Sequence, residues 1–319
     1  MRVTTGELYR ICYGEFAIGA YNVNNMEQLR GLFEGHRRAE APFILAISRG
    51  ARKYAGPELL VGMIDAITAE YPELVFSVHL DHGDEESCYD AIESGAYTSV
   101  MIDASHEEFD ENIEITRRVV ERAHTRGISV EAELGLLGGV EEDIAVDEEH
   151  AHLTDPTEAS LFVEATGCDS LAVAVGTSHG AYKFSGAEGL RLDRIRAIRE
   201  RLPGFPLVLH GASSVPRDEV ERINAAGGAL EPGARGVDPG EIREAIPLGI
   251  CKINVDTDGR LLWTRVHREF FRDEPSGFDL REPGKDFIEE YARFVAERAR
   301  EFGSAGRLGH VREVIAAGR

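Results

Sequence analysis

The chain of 319 residues carries 57 acidic and 35 basic side chains, a formal net charge of −22, which excludes a protein that grips nucleic acid or an anionic membrane through bulk charge. Apolar residues make up 43% of it, which excludes disorder as the dominant state. Four scattered cysteines, Cys12, Cys88, Cys168 and Cys251, form no CxxC pair and so exclude a disulfide framework or a thiolate zinc knuckle.

These features suit a soluble, unprocessed protein of the reducing cytoplasm, and no run approaches the roughly 18 to 20 apolar residues of a membrane span. Arginine supplies nearly all the positive charge. The only lysines are Lys53, Lys183, Lys252 and Lys285, a bias that fits either a salt-adapted surface or GC-rich coding.

In chain order, a short apolar run at Ala17–Val23 precedes an amphipathic stretch at Met26–Ala39, and Phe43–Ser48 precedes Pro57–Glu70. Val75–Leu80 is followed by Glu86–Ser94, and Ser99–Asp103 by Phe109–Arg126. Ser129–Leu134 leads through a glycine- and acid-rich stretch, Gly135–Asp155, to Asp155–Thr166. Ser170–Val175 pairs with Leu190–Arg201, and Pro206–His210 with Arg217–Ala226. An insertion at Gly227–Gly240 precedes the last run, Ile250–Val255, and beyond Phe271 a long polar turn leads to a helix.

The eight short runs read as strands, and runs such as SLAVAV are apolar almost without break, as in parallel strands covered on both faces. The alternating partners show apolar residues at helical spacing. A doubly wound dinucleotide-binding sheet requires a glycine-rich turn after its first strand, and AYNVNNMEQL has none. The chain therefore reads as one α/β domain over 1–319, a (β/α)8 TIM barrel with a C-terminal helical extension.

Chemistry in a barrel sits at the carboxyl ends of its strands, and here those ends are polar. Strand two finishes at Ser48, strand three at Asp81 and His82, strand four at Asp103, strand five with Glu131 and Glu133, strand six just before His179, strand seven at His210, and strand eight with Asn254 and Asp256. Three imidazoles from separate strands can hold one divalent ion and leave a position open, as in a catalytic zinc site. The alternative, that each histidine caps its own strand, has more weight for one histidine than for three beside Asp103 and Glu133. His36, His106, His124, His150 and His152 read as solvated, and His79 as a satisfied core histidine.

GTSHGAYKF after strand six offers backbone N–H groups near Gly180 and the ammonium of Lys183, while HGASS after strand seven offers Gly211 and Ser213. With NVDTD after strand eight they form a phosphate corner in the usual place for this fold.

AYNVNN, SRGARKYAG, HLDHG, SVMIDAS, VEAELGLLGG, LAVAVGTSHGAYKF, LVLHGASSVP and CKINVDTD, with FDLR and GSAGR in the tail, together resemble the class II, metal-dependent fructose-bisphosphate aldolases from about residue 3 to 315. The resemblance implies a dimeric or tetrameric barrel that interconverts fructose 1,6-bisphosphate with dihydroxyacetone phosphate and glyceraldehyde 3-phosphate through a metal-stabilised enediolate. It makes His82, His179 and His210 the zinc ligands. Asp103 and Glu133 correspond to positions that hold a second divalent metal or, equally, support the first from outside; a monovalent cation is the other accessory ion considered.

By the same resemblance Asp81 exchanges a proton with the aldehyde oxygen. Glu141, with Glu142 beside it, is the base that takes a proton from the ketose phosphate carbon. Gly180, Lys183, Gly211, Ser213, Asp256 and Thr257 correspond to the site for the ketose phosphate, with Asn254 near the enediolate. Ser48 and Arg281 correspond to the other phosphate site, Arg281 reaching in from a partner subunit.

Neighbours on a strand face opposite ways, so a turn at Asp81–Gly83 must bring Asp81 and His82 to one mouth. Lys252 is the only lysine placed to offer a rival Schiff base, and an ion pair or an outward stem with its head in water is the reading favoured for it. Two departures from the family pattern bear on the second phosphate site. Gly259 stands where leucine is usual and would weaken a helix by roughly 0.5 to 1 kcal/mol, and REPGKDFIEEYARF follows FDLR. The remaining alternatives are a tagatose-bisphosphate aldolase and a barrel that has lost catalysis and serves as a binding protein.

Overall fold

The computed structural model describes residues 1–136, 138–141, 144–146, 152–179, 189–231 and 236–318, with 138–141, 144–146 and 178–179 described by their backbone alone. In chain order the elements begin α1 (Thr5–Cys12), β1 (Ile18–Asn22), α2 (Met26–Ala39), β2 (Phe43–Ser48), α3 (Arg49–Ala55), α4 (Pro57–Glu70), β3 (Phe76–Gly83) and α5 (Glu85–Ser94). They continue with β4 (Ser99–Ile102), α6 (Phe109–His124), β5 (Ser129–Leu134), β6 (Gly138–Glu141), β7 (Ile144–Val146), α7 (Pro156–Thr166), β8 (Ser170–Val173), β9 (Ser178–His179) and α8 (Leu192–Arg201). The last are β10 (Leu207–Leu209), α9 (Arg217–Ala225), α10 (Pro239–Ala245), β11 (Ile250–Val255), α11 (Thr257–Asp273), α12 (Arg281–Glu301) and α13 (Leu308–Gly318).

Eight strands close into a barrel in the order β1-β11-β10-β8-β5-β4-β3-β2, and all eight pairings are parallel. Each corresponds to one of the apolar runs read from the sequence. β6, β7 and β9 form a separate small sheet with β6 in the middle. Helix starts follow local chemistry: Asn25, Asp84 and Asp155 each accept a backbone N–H of the first turn of α2, α5 and α7, which satisfies donors that have no partner within the helix. Among the described residues, no helix is long and apolar enough to cross a membrane.

Three helices before the C-terminal extension were not anticipated: α1, α3, and α10 at the end of the Gly227–Gly240 insertion. α1 is set by a capping box in which Thr4 and Glu7 bond each other's backbone N–H, and it lies against the starts of β4 and β5, where Thr5 Oγ1 meets Ser99 Oγ at 3.0 Å and Gly6 N donates to Ser129 Oγ at 3.1 Å. α3 follows β2 directly, with Ser48 as its cap. The extension is more than one helix after a turn: α11 runs to Asp273, and α12 and α13 follow. Gly259 lies inside α11, where a Cβ would come within 3.2 Å of the buried Tyr291 of α12, so the residue that costs helix propensity admits close packing of the extension.

His36 does not lie at a solvated surface. It is 1% exposed, its ring stacks on Phe43 at 4.4 Å, and Nδ1 donates to the Leu32 carbonyl at 2.9 Å. Burial pushes its pKa down to about 4. The unfolded chain therefore binds one more proton between about pH 6.5 and 4, and stability present above that window falls as the pH drops through it. The expected contribution is about 3 kcal/mol across the window. Urea unfolding of parent and His36→Phe at several pH values should show a shallower acid decline in the variant, and parallel declines would refute it.

Candidate active site

The pairing of β3 with β4 slips between Leu80↔Val100 and Gly83↔Ile102, so three steps along β3 oppose two along β4. The extra residue is a β-bulge, and His82 adopts a left-handed φ of 46° within it, a backbone state uncommon for a residue with a Cβ. This is the turn the sequence demanded: Asp81 and His82 are both buried at the mouth, and a nitrogen or oxygen of each lies within 4.8 Å of one on His210.

The two imidazoles are held from opposite sides. His82 Nδ1 meets Asp103 Oδ2 at 2.8 Å, and His210 Nε2 meets Glu131 Oε1 at 2.8 Å. Burial opposes both carboxylates' charge, yet hydrogen bonding from His82 and Ser105 holds Asp103 well below the usual carboxyl range, and the Lys252 ammonium with His210 does the same for Glu131. An ionised carboxylate only accepts, so each anchored nitrogen carries the proton. Burial, then the charge of Lys252, pushes the His210 pKa down, which favours the neutral ring.

His82 Nε2 and His210 Nδ1 therefore face each other at 2.9 Å with lone pairs towards one another. Two nitrogens so placed can share an electrophile, and imidazoles backed by carboxylates are the usual donors to a metal. The donor set fits the ion. Asp103 Oδ1 accepts from Ser105, whose N and Oγ donate at 3.2 and 2.8 Å, so both Asp103 oxygens are engaged. Glu133 Oε2 lies 3.9 Å from His82 Nδ1, and His82, Asp103 and Glu133 form a second group able to hold an ion.

Asp81 lies beside this pair. Asn22 Nδ2 donates to its Oδ2 at 2.9 Å, and Asn254 Nδ2 donates to its Oδ1 at 3.1 Å and to His210 Nδ1 at 3.0 Å. Below lies Lys252, whose stem does not point outward: its head is buried inside the barrel, and Nζ donates to Glu131 Oε1 and Oε2 at 2.8 and 2.9 Å and to His79 Nε2 at 3.1 Å. All three ammonium hydrogens are used, so Nζ has no lone pair for a carbonyl. His79 is the core histidine expected, with Nδ1 on Ser99 Oγ at 2.9 Å, and burial followed by the charge of Lys252 lowers its pKa to about 3.

At the corner expected from the sequence to take a phosphate, Gly211 has a φ of 60° and Ser213 is buried. The loop beyond is pinned by Asp258, which accepts from Ser214 N, Ser214 Oγ and Val215 N at 2.9, 3.1 and 2.8 Å. Asp256 and Thr257 stand at the start of α11. Ser48 pairs in register with Asp81, and its Oγ caps α3 through Ala51 N. Arg281 is not gathered with these groups: it opens α12 on the surface, its guanidinium on Asp279. His179 and Glu141 are placed by backbone alone, in β9 and β6, with Gly139 opposite His179. Gly180, Lys183 and Glu142 lie outside the described residues.

Asn22 was missed; Glu131 was named at its strand end and an ion pair was one reading of Lys252, but that the two meet and back His210 was not read. The signal was parity: Glu131 precedes Glu133 by two residues, as His79 precedes Asp81 and Lys252 precedes Asn254, and residues two apart share a face of a strand.

Fold and site together define a barrel enzyme whose mouth gathers residues able to hold a metal. The sequence model of the fructose-bisphosphate aldolase class-II family matches residues 3–307. The fructose-bisphosphate aldolase of Giardia intestinalis is 47% identical over 98% of this chain and 95% of its own, and that of Thermus caldophilus is 47% identical over 96% and 100%. The crystal structure of the YdjI aldolase from Escherichia coli K12 superposes with a TM-score of 0.76 at 28% identity, covering 97% of this chain and all of the other. The chain belongs to the class II fructose-bisphosphate aldolases, a metal-dependent family of carbon–carbon lyases.

Proposed function

We propose that this chain, one barrel domain over 1–319, is a zinc-dependent aldolase that reversibly cleaves fructose 1,6-bisphosphate to dihydroxyacetone phosphate and glyceraldehyde 3-phosphate. The observation that carries the reading is the pair of facing imidazole nitrogens, His82 Nε2 and His210 Nδ1, each ring anchored by its own carboxylate. His82 and His210, joined by His179, would hold the zinc, whose Lewis acidity lowers the cost of charge on the ketose oxygens.

Asp81 takes the proton from the sugar hydroxyl in cleavage and returns it in condensation. Asn22 and Asn254 orient its two oxygens. Glu141 is the base proposed for the ketose phosphate carbon. Gly180, Lys183, Gly211, Ser213, Asp256 and Thr257 bind one phosphate, while Ser48 binds the other with Arg281 from a second subunit of a cytoplasmic homodimer or homotetramer. Asp103 is read as the outer support of His82 because both its oxygens are already engaged, and Glu133 remains the candidate for an accessory ion.

A coupled assay of the zinc-loaded protein on fructose and tagatose 1,6-bisphosphates tests this. Release of triose phosphates with preference for the fructose epimer is expected, and borohydride added during turnover should trap no adduct on Lys252. Preference for tagatose would reassign the sugar, and failure to cleave either would leave a binding protein.

A further inference from the structure

The barrel interior holds more than a site needs for substrate. A core of this fold is ordinarily filled by branched apolar side chains, yet Ser99, His79, Lys252 and Glu131 form a continuous buried chain that ends on His210. None of the proposed proton transfers uses these groups. A buried charge pair is weak evidence for stability, since removing two ions from water costs several kcal/mol that their attraction only partly offsets. Its geometry is specific. Glu131 Oε1 accepts from both Lys252 Nζ and His210 Nε2 at 2.8 Å, and Oε2 accepts from Lys252 Nζ at 2.9 Å. Two of the three hydrogen bonds that orient this carboxylate come from one lysine.

We propose that Lys252 and Glu131 are positioning residues for the metal. Lys252 fixes the Glu131 carboxylate in one orientation, the carboxylate holds the proton of His210 on Nε2, and Nδ1 is thereby left to face His82 Nε2. Asp103 does the same for His82 from the opposite side. The only lysine within the barrel strands thus serves a metal aldolase by aiming a ligand rather than by attacking a carbonyl. Without the ammonium, Glu131 loses the bonds that hold its plane, and His210 loses a fixed partner for its ring. Loss of such outer support typically lowers metal affinity about 10- to 100-fold.

The inference rests on the zinc reading, and the test separates the two. Zinc affinity of the full-length parent, Lys252→Met and Lys252→Met/Glu131→Gln is measured by competition with a chelator, and the visible spectrum of the cobalt-loaded forms is recorded. Lys252→Met is expected to bind zinc about 10- to 100-fold more weakly with an altered cobalt spectrum. The double variant should recover most of the affinity, because an amide oxygen still accepts from His210 Nε2 and needs no counter-charge. In the zinc-loaded parent, nitrogen-15 shifts should show His210 protonated at Nε2, a readout that requires no variant to fold. A parent that binds no zinc defeats the metal reading itself. A parent that binds zinc while Lys252→Met matches it in affinity and spectrum, or in which His210 is protonated at Nδ1, overturns the positioning role alone.

Discussion

Removal of metal by a chelator is expected to abolish cleavage of fructose 1,6-bisphosphate, a loss of about 10³-fold or more, and added zinc to restore it. Breaking a carbon–carbon bond next to a carbonyl leaves an electron pair that the ketose oxygens must carry. Lewis-acid stabilisation of such charge is worth several kcal/mol, and each 1.36 kcal/mol is tenfold in rate. Protein cations at the described mouth do not substitute. Lys252 lies below it, fully buried and saturated by Glu131 and His79, and Arg281 stands on the surface with Asp279. Cleavage that continues undiminished, with elemental analysis confirming that the protein is metal-free, would refute the proposal.

The barrel was legible because its signal is redundant. Each strand is an apolar run between turns, and β2, β5 and β11 fall where the runs Phe43–Ser48, Ser129–Leu134 and Ile250–Val255 begin and end. β3 extends further, to Gly83 rather than Leu80, because the bulge that carries Asp81 and His82 stays paired to β4 through Gly83. α1 was hidden for the opposite reason. It is only eight residues long, too short for a helical period to stand out, and its one local mark was Thr4 three residues before Glu7, a capping box easily passed over without a long apolar run behind it.

Within the site, residues at strand ends were legible and residues one layer deeper were not. His82, Asp103, Glu133 and His210 close their strands, where barrel chemistry is expected. Lys252 sits two residues before Asn254 on β11, and Glu131, named at the end of its strand, sits two before Glu133 on β5, each on the same face as the later residue. The sequence does not state that a lysine on β11 and a glutamate on β5 meet across the barrel, since their pairing is set by closure and stagger and their separation along the chain is 121 residues. The rule that long charged stems keep their heads in water failed at Lys252 because an interior carboxylate and imidazole supply every hydrogen-bond acceptor that water would. His36 departs from expectation in the same manner, its ring satisfied by a helix carbonyl and an aromatic neighbour.

Asp81→Ala should keep zinc and lose turnover by about 10² to 10⁴, the range for removing a general acid–base group. The two effects separate because the imidazoles are anchored by Asp103 and Glu131, not by Asp81. Asp81 has a different set of contacts: Asn22 and Asn254 each donate to one of its oxygens, which leaves a carboxylate fixed in place beside the facing nitrogens and able to accept a further proton. Truncation leaves those two buried amides without their acceptor, at about 1 to 3 kcal/mol for each unsatisfied group, so some loss of thermal stability should accompany the change. Asp81→Asn provides the control: it nearly preserves shape, keeps an oxygen for one amide and cannot cycle a proton at neutral pH. Both variants should match the parent in zinc content while kcat falls far more than KM changes. Turnover equal to the parent's would remove the proton-transfer role, and zinc lost together with turnover would place Asp81 among the ligands.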